Sequence, residues 1–269
     1  MLSFKQFVKE EAELLLMSAK SDRYEQEVAQ AIDNLDGVTA DRPKVSTKYA
    51  DVLLNLNGKK TWLEVKMNHT DNLGNTRVSY VDGKWEAAKP LDPVKAFAIE
   101  YLSKDRQTQK FLQDVAKFAG IKDWRKMTVP STKGGLKKPN AVSYEKMKEY
   151  LSTRKQYILD VANVDLGELV TRHYLEGKAE PAHYMQAGDD FYLIGRSNPL
   201  GLPTDIPELG KKGQCMGSFK MRIGMRSDRS AFYEIQPEIK IVNMPASAYS
   251  VKPGTKKKNP FTHQRVRSS

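Results

Sequence analysis

Residues 49–66 read YADVLLNLNGKKTWLEVK, two apolar runs separated by Asn57-Gly58. Asn-Gly between alternating apolar residues is the strongest short-range hairpin signal, because both residues tolerate the positive φ of a tight two-residue turn. With the turn at these positions, Leu56 faces Lys59 and the numbers of opposed residues sum to 115. Asp51 then lies directly opposite Glu64, and side-chain alternation puts Lys66 on the same face. The other face carries Val52, Leu54, Leu56, Leu63, Val65 and Met67, and reads as continuous core. Leu53 and Trp62 share the face of the acids, so that face is at least partly covered.

Two acids and a lysine in such strands need a reason, since buried charges are costly unless they are paired or bind a metal. Carboxylates opposed across a sheet repel unless positive charge lies between them. A divalent cation supplies it, and Mg²⁺ typically binds through one or two carboxylates plus water and phosphate oxygens. Lys66 is placed to orient or deprotonate a water, or to offset charge on a phosphate. The pattern therefore points to metal-assisted phosphodiester hydrolysis. The tripeptide alone carries little, because Glu-x-Lys occurs three times. Glu176-Gly177-Lys178 reads as a helix end, and Glu238-Ile239-Lys240, preceded by Pro237, reads as an edge-strand surface pair.

Asp51, twelve intervening residues and then Glu64-Val65-Lys66 on an apolar strand resemble the PD-(D/E)XK nuclease superfamily. That superfamily includes restriction enzymes, some homing endonucleases, junction resolvases and recombination exonucleases. The resemblance covers roughly residues 21–105, with Ala50 where the eponymous proline would stand. It implies an α/β (mixed α+β) fold with a central mixed sheet flanked by helices, a restriction-endonuclease-like core. It also implies Mg²⁺, replaceable by Mn²⁺, held by Asp51, Glu64 and the Val65 carbonyl, with Lys66 assisting the nucleophilic water. The family often adds an acid from the helix before the sheet. Glu25 fits that place best, beside Val28 and Ile32 on the inward face, and Glu27 is second choice. No Gln-x-x-x-Tyr helix of the exonuclease branch is evident, which argues against an end-dependent exonuclease.

The 269 residues carry 44 basic and 33 acidic side chains, a net charge of +11. Such an excess favours an anionic partner, here double-stranded DNA rather than a membrane surface. No apolar run approaches the roughly 18 residues needed to span a bilayer. The N-terminus lacks the pattern of a signal peptide. Cys215 is the only cysteine, which excludes an internal disulfide and a cysteine-based zinc site and fits a reducing, cytoplasmic setting. The opening MLSFKQF loosely resembles the start of some tailed-phage proteins, which would make the cytoplasm that of a host cell.

Four sequential regions are expected. Residues 1–120 hold two N-terminal helices, the second from about Asp22 to Leu35, and the nuclease core. This region also includes a hairpin at Asp82-Gly83 and helices near 92–102 and 110–119. Residues 121–140 read as an exposed basic connection. Residues 141–250 hold a long helix from Met147 to Val161, a shorter one capped by Asp165 and Glu168, and C-terminal β-hairpins that complete the fold and bind DNA. Residues 251–269 read as a flexible basic tail. The candidate DNA-binding residues are Lys133, Lys137 and Lys138, then Lys220, Arg222, Arg226 and Arg229, and finally Lys256, Lys257 and Lys258. The expected function is a site-selective DNA endonuclease of homing or restriction type. Two-strand cutting favours a homodimer. The alternatives are a junction resolvase or a non-catalytic basic DNA-binding or packaging protein.

Overall fold

A computed structural model describes residues 4–43, 49–129, 140–154, 157–225 and 233–262. Among the described residues the fold is mixed α/β, with two six-stranded sheets and five α-helices. It divides into two units that interleave along the chain. Unit 1 is Met1–Asp71, Val170–Cys215 and Asn243–Ser269, and unit 2 is Asn72–Leu169 and Met216–Val242. This replaces the expected sequential regions. A composition shift marks a boundary only where the chain leaves a unit once, and here it leaves and returns.

Unit 1 begins with α1 (Phe4–Asp33), one helix where two were expected. The segment joining the expected pair is rich in Ala, Glu, Leu and Met, all good helix formers, and no Gly or Pro interrupts it before Gly37. The strands β1 (Val38–Asp41), β2 (Val52–Leu56) and β3 (Lys59–Lys66) follow as an antiparallel meander. The β2–β3 register runs from Val52 opposite Leu63 to Leu56 opposite Lys59, as the Asn57-Gly58 turn predicts. Both turn residues have positive φ, 52° and 81°. After β3 the chain departs into unit 2 and returns through α5 (Gly167–Leu175) to β8 (Ala182–Ala187), which pairs parallel with β3. Parallel neighbours require such a crossover. The strand β9 (Asp190–Ile194) is antiparallel to β8, and β10 (Glu208–Leu209) closes the sheet in parallel.

The core of unit 1 gathers Tyr24, Val28 and Ile32 of α1 against Val52, Leu54, Leu56, Leu63 and Val65, with Tyr184, Phe191 and Leu193 from β8 and β9. The predicted apolar face is thus the buried one, except at Met67, which is 39% exposed because β3 ends at Lys66. Leu54 is fully buried at the centre of this cluster. Leu54→Ala should lower unfolding free energy by about 2–5 kcal/mol, read from denaturant midpoints, since it removes buried methyls and leaves a cavity.

Unit 2 contains β4 (Asp71–Asn75), whose first residue belongs to unit 1, then β5 (Val78–Val81) and β6 (Lys84–Ala87). The helices α2 (Pro93–Lys104), α3 (Arg106–Ala119) and α4 (Tyr144–Ser152) precede β7 (Tyr157–Asp165), β11 (Met216–Met225) and β12 (Tyr233–Asn243). The sheet order is β6-β5-β12-β11-β7, with β4 also on β12. The Asp82-Gly83 hairpin and the helices near 92 and 110 form as expected, α2 being capped by Asp92 and α3 by Asp105.

Three expectations fail here. The long helix from Met147 to Val161 ends at Ser152, and the rest becomes β7, paired with β11. The residues matched a 3.6 period, but the β-branched segment YILDVANVD is held by its ladder, and pairing overrides periodicity. The basic connection is not wholly exposed either. Met127 and Val129 are fully buried, and Tyr80 and Val129 exchange backbone hydrogen bonds. Finally, Glu238 lies on a strand with neighbours on both sides, where it is buried and paired with Arg222 and Lys240. Pro237 is accommodated because its carbonyl still accepts from Thr76.

The tail is likewise ordered as far as it is described. Val251 and Phe261 are buried, the Phe261 ring meets Phe191 edge-on, and the backbones of Ala248 and Ser250 bond to Lys258. Its Pro and Gly mark a tight turn rather than a free arm.

Candidate active site

The structure brings Asp51, Glu64 and Lys66 together at the end of the β2–β3 hairpin. Beyond the Val52–Leu63 pair, the Val65 amide donates to the Asp51 carboxylate at 2.8 Å. The N–H and C=O of one strand residue point to the same side. The Val65 carbonyl therefore faces the Asp51 side, while the Lys66 carbonyl faces β8 and accepts from the Gly188 amide. Glu64 is almost completely buried, with its side chain 3% exposed. One of its oxygens, Oε1, lies 2.6 Å from the Lys66 amine. The other, Oε2, is buried without a hydrogen-bond partner and lies 3.7 Å from the Lys178 amine.

Three further residues complete the cluster. Asp71, the residue at which the chain leaves unit 1, sits 3.5 Å from the Lys66 amine. Its other oxygen accepts a hydrogen bond from the fully buried Tyr174 hydroxyl on α5. Lys178 follows α5 and reaches back to Glu64. It belongs to the Glu-Gly-Lys that reads in sequence as a helix terminus, so its role is visible only once α5 is placed. Nothing local in the sequence singles out Asp71 or Tyr174.

Three carboxyls, Asp51, Glu64 and Asp71, thus face two ammonium groups, Lys66 and Lys178. Asp51 is the one without a lysine contact. Burial and the charge on Glu64 push its carboxyl up to about 7, against the opposing pull of Lys66 and of the Val65 amide. Burial would lower the Lys66 amine, but Glu64, Asp71 and Asp51 outweigh it and hold the amine well above its ordinary value. Lys66 is therefore held as a charged donor that can orient water or phosphate. Tyr174 is pushed far up by burial and by Asp71, and stays a hydroxyl donor.

These residues fit a divalent cation on two observations: a buried carboxylate oxygen with no hydrogen-bond donor, and a carboxyl pushed up to about 7 whose ionised form added positive charge would favour. The cluster is not a ready-made cage. Among the described residues no three of His, Cys, Asp and Glu form a metal-binding group, and Lys66 occupies Glu64. A cation that keeps most of its waters needs only one or two carboxylates.

Glu25 has partners of its own outside the Asp51, Glu64 and Lys66 contacts. Its oxygens accept from Ser21 and from Arg42, the latter at 2.6 Å, because Arg42 follows β1 and turns back to α1. Its charge still contributes to raising Asp51. Glu27 pairs with Arg23 on the exposed side of α1. On the covered face, Trp62 stacks on Tyr49 and donates to Glu180 at 2.5 Å.

Asn68 caps Thr70 beyond the strand end. His69 pairs with Asp190, which also accepts from Lys257 and the Ser247 amide. Burial would raise the Asp190 carboxyl, but these three donors together hold it below the ordinary carboxylate range. Asp190→Asn should cost about 1–3 kcal/mol at pH 7. The cost should shrink as pH falls below the ordinary carboxylate value and vanish below the depressed one, where the wild type has lost the same charge; urea midpoints followed downward from pH 7 check this.

The expected DNA contacts are only partly available. Lys220 pairs with Asp160, Arg222 with Gln236 and Glu238, and Lys257 with Asp189 and Asp190. Lys258 lies over the Tyr249 ring, and Lys256 is exposed. Basic residues on a strand count toward a nucleic-acid surface only where acids on neighbouring strands leave them unpaired, and that depends on register. Lys133, Lys137, Lys138, Arg226 and Arg229 lie outside the described residues.

No helix among the described residues is long and apolar enough to cross a membrane. Comparison with protein-family models, with curated proteins and with solved structures finds no match to the chain.

Proposed function

We propose that the chain is a metal-dependent DNA endonuclease of the PD-(D/E)XK type. The observation that carries the reading is the convergence of Asp51, Glu64, the Val65 carbonyl and Lys66 at one hairpin end, with one Glu64 oxygen buried and without a donor. The mixed sheet and the crossover that sets β8 parallel to β3 give that hairpin end a rigid frame.

In this reading Asp51 and Glu64 would hold Mg²⁺ or Mn²⁺ with the Val65 carbonyl. A cation in that place supplies Lewis-acid stabilisation of the phosphate and makes bound water a better nucleophile. Lys66 donates toward the scissile phosphate or the attacking water, adding positive charge where negative charge develops. Asp51, which titrates at about 7, would be held in its ionised form by a bound cation. The burial of Glu64 limits water around it, which strengthens each of these interactions. Unit 2 would contribute DNA selection, as in a homing or restriction-type enzyme, and the net charge of +11 would add salt-sensitive affinity.

Purified chain incubated with supercoiled plasmid, linear duplex and four-way junction DNA should cut in Mg²⁺ or Mn²⁺ and not in EDTA. Discrete bands from long DNA indicate a sequence-selective enzyme, and cutting confined to junctions indicates a resolvase. Salt-sensitive binding with no cleavage of any form would overturn the proposal in favour of a non-catalytic DNA-binding protein.

A further inference from the structure

Lys66 stands between two acids. Its amine is 2.6 Å from Glu64 Oε1 and 3.5 Å from Asp71 Oδ1. A cation taken at the donor-free Oε2 would be repelled by an ammonium held 2.6 Å from Oε1, so cation loading favours a shift of the amine away from Glu64. Asp71 is built to receive it. Its carboxylate is 5% exposed, Oδ2 is tied to the buried Tyr174 hydroxyl, and Oδ1 alone is turned to Lys66. The same hydrogen bond keeps Asp71 from turning both oxygens to another ligand. Lys178, 3.7 Å from Glu64 Oε2, steadies the carboxylate from its other side.

We propose that Asp71 is a positioning residue which, anchored by Tyr174, takes Lys66 from Glu64 when a divalent cation binds. The inference rests on the reading of Asp51 and Glu64 as the cation site. It assigns a second position to the lysine: parked on Glu64 without a cation, and held by Asp71 with one. Without Asp71 the lysine has only Glu64 as a partner and competes with the cation for it.

The test is Mn²⁺ binding to the full chain without DNA, measured by calorimetry or by loss of the free-ion spin-resonance signal. Asp71→Asn, which can still accept from Tyr174, should weaken binding about tenfold, the size of a moderate coupling between neighbouring sites. Lys66→Met should bind at least as tightly as wild type, because the competing ammonium is gone. In the Lys66→Met background, Asp71→Asn should change affinity by no more than about threefold, since a cycle isolates an effect that passes through the lysine. Tyr174→Phe should weaken binding in the same direction by about threefold, and it carries the test if Asp71→Asn does not fold.

Equal affinity of wild type and Asp71→Asn would overturn the inference. So would a tenfold loss that persists in the Lys66→Met background, which would make Asp71 a direct ligand. Both results leave the nuclease reading intact if Glu64→Gln abolishes Mn²⁺ binding. A wild-type chain that binds no Mn²⁺ overturns that reading and this inference together.

Discussion

Glu64→Gln is expected to lower DNA cleavage by about a thousandfold or more while leaving DNA affinity within about threefold of wild type. Glutamine keeps the shape of the buried side chain but removes the charge that neutralises Lys66 and that is proposed to hold the cation. Asp51→Asn and Lys66→Ala should fall in the same range, because each removes an interaction that matters most in the transition state. Single-turnover cleavage of a radiolabelled duplex, beside a filter-binding isotherm, separates the two effects. If all three variants nick plasmid at the wild-type rate, the proposed assignment of the hairpin is wrong. Glu238→Gln is the control, since Glu238-Ile239-Lys240 has the same residue types but is held by Arg222 within a sheet.

The second large effect is on stability and has the opposite sign. The Asp51 carboxyl keeps its proton up to about 7 in the folded chain, against an ordinary carboxylate value of about 3.9 when unfolded. Between those values the folded chain binds the proton and the unfolded chain does not. Stability therefore falls as pH rises through this window, and the loss is complete above it. Asparagine cannot ionise and can still accept from the Val65 amide. At pH 8 without divalent cations, Asp51→Asn should be more stable than wild type by about 2 kcal/mol, allowing for solvent at this partly exposed site, or roughly 4–8 °C in melting midpoint. The gap should close near pH 4. Millimolar Mn²⁺ should raise the wild-type midpoint at pH 8 and leave the variant unmoved. An Asp51→Asn midpoint below wild type at pH 8, or equal stabilisation of both by Mn²⁺, would contradict this account.

The two effects have one cause. A largely covered carboxyl without a basic partner weakens the fold and, in the proposed function, suits it to a cation. The stability–function trade-off is thus local to Asp51, and Glu64 escapes it through Lys66 and Lys178.

Much of this site was legible in eighteen residues. The Asn57-Gly58 turn fixes the β2–β3 register by local backbone geometry, and a period of two then assigns every side chain to a face. That is why Asp51, Glu64 and Lys66 could be placed together, and why Val52, Leu54, Leu56, Leu63 and Val65 could be identified as core, before any tertiary contact was known. The turn at Asp82-Gly83 and the helices α2 and α3 follow from signals of the same short range, and the class of fold was what the resemblance implied.

Tertiary structure alone decided the rest. Glu25 had the right spacing on α1, but Arg42, across a turn, takes its carboxylate. The lysines and arginines of β11 and the tail had the right charge, but acids on paired strands and turns take several of them. The run from Met147 onward had a helical period, but β11 makes its second half a strand. Asp71, Tyr174 and Lys178 reach the site only because α5 brings the chain back beside β3 after a long excursion. Turn chemistry and alternation act over a few bonds and are written in adjacent residues. Which distant charge neutralises which depends on how the strands and helices pack, and no short stretch of sequence carries that information.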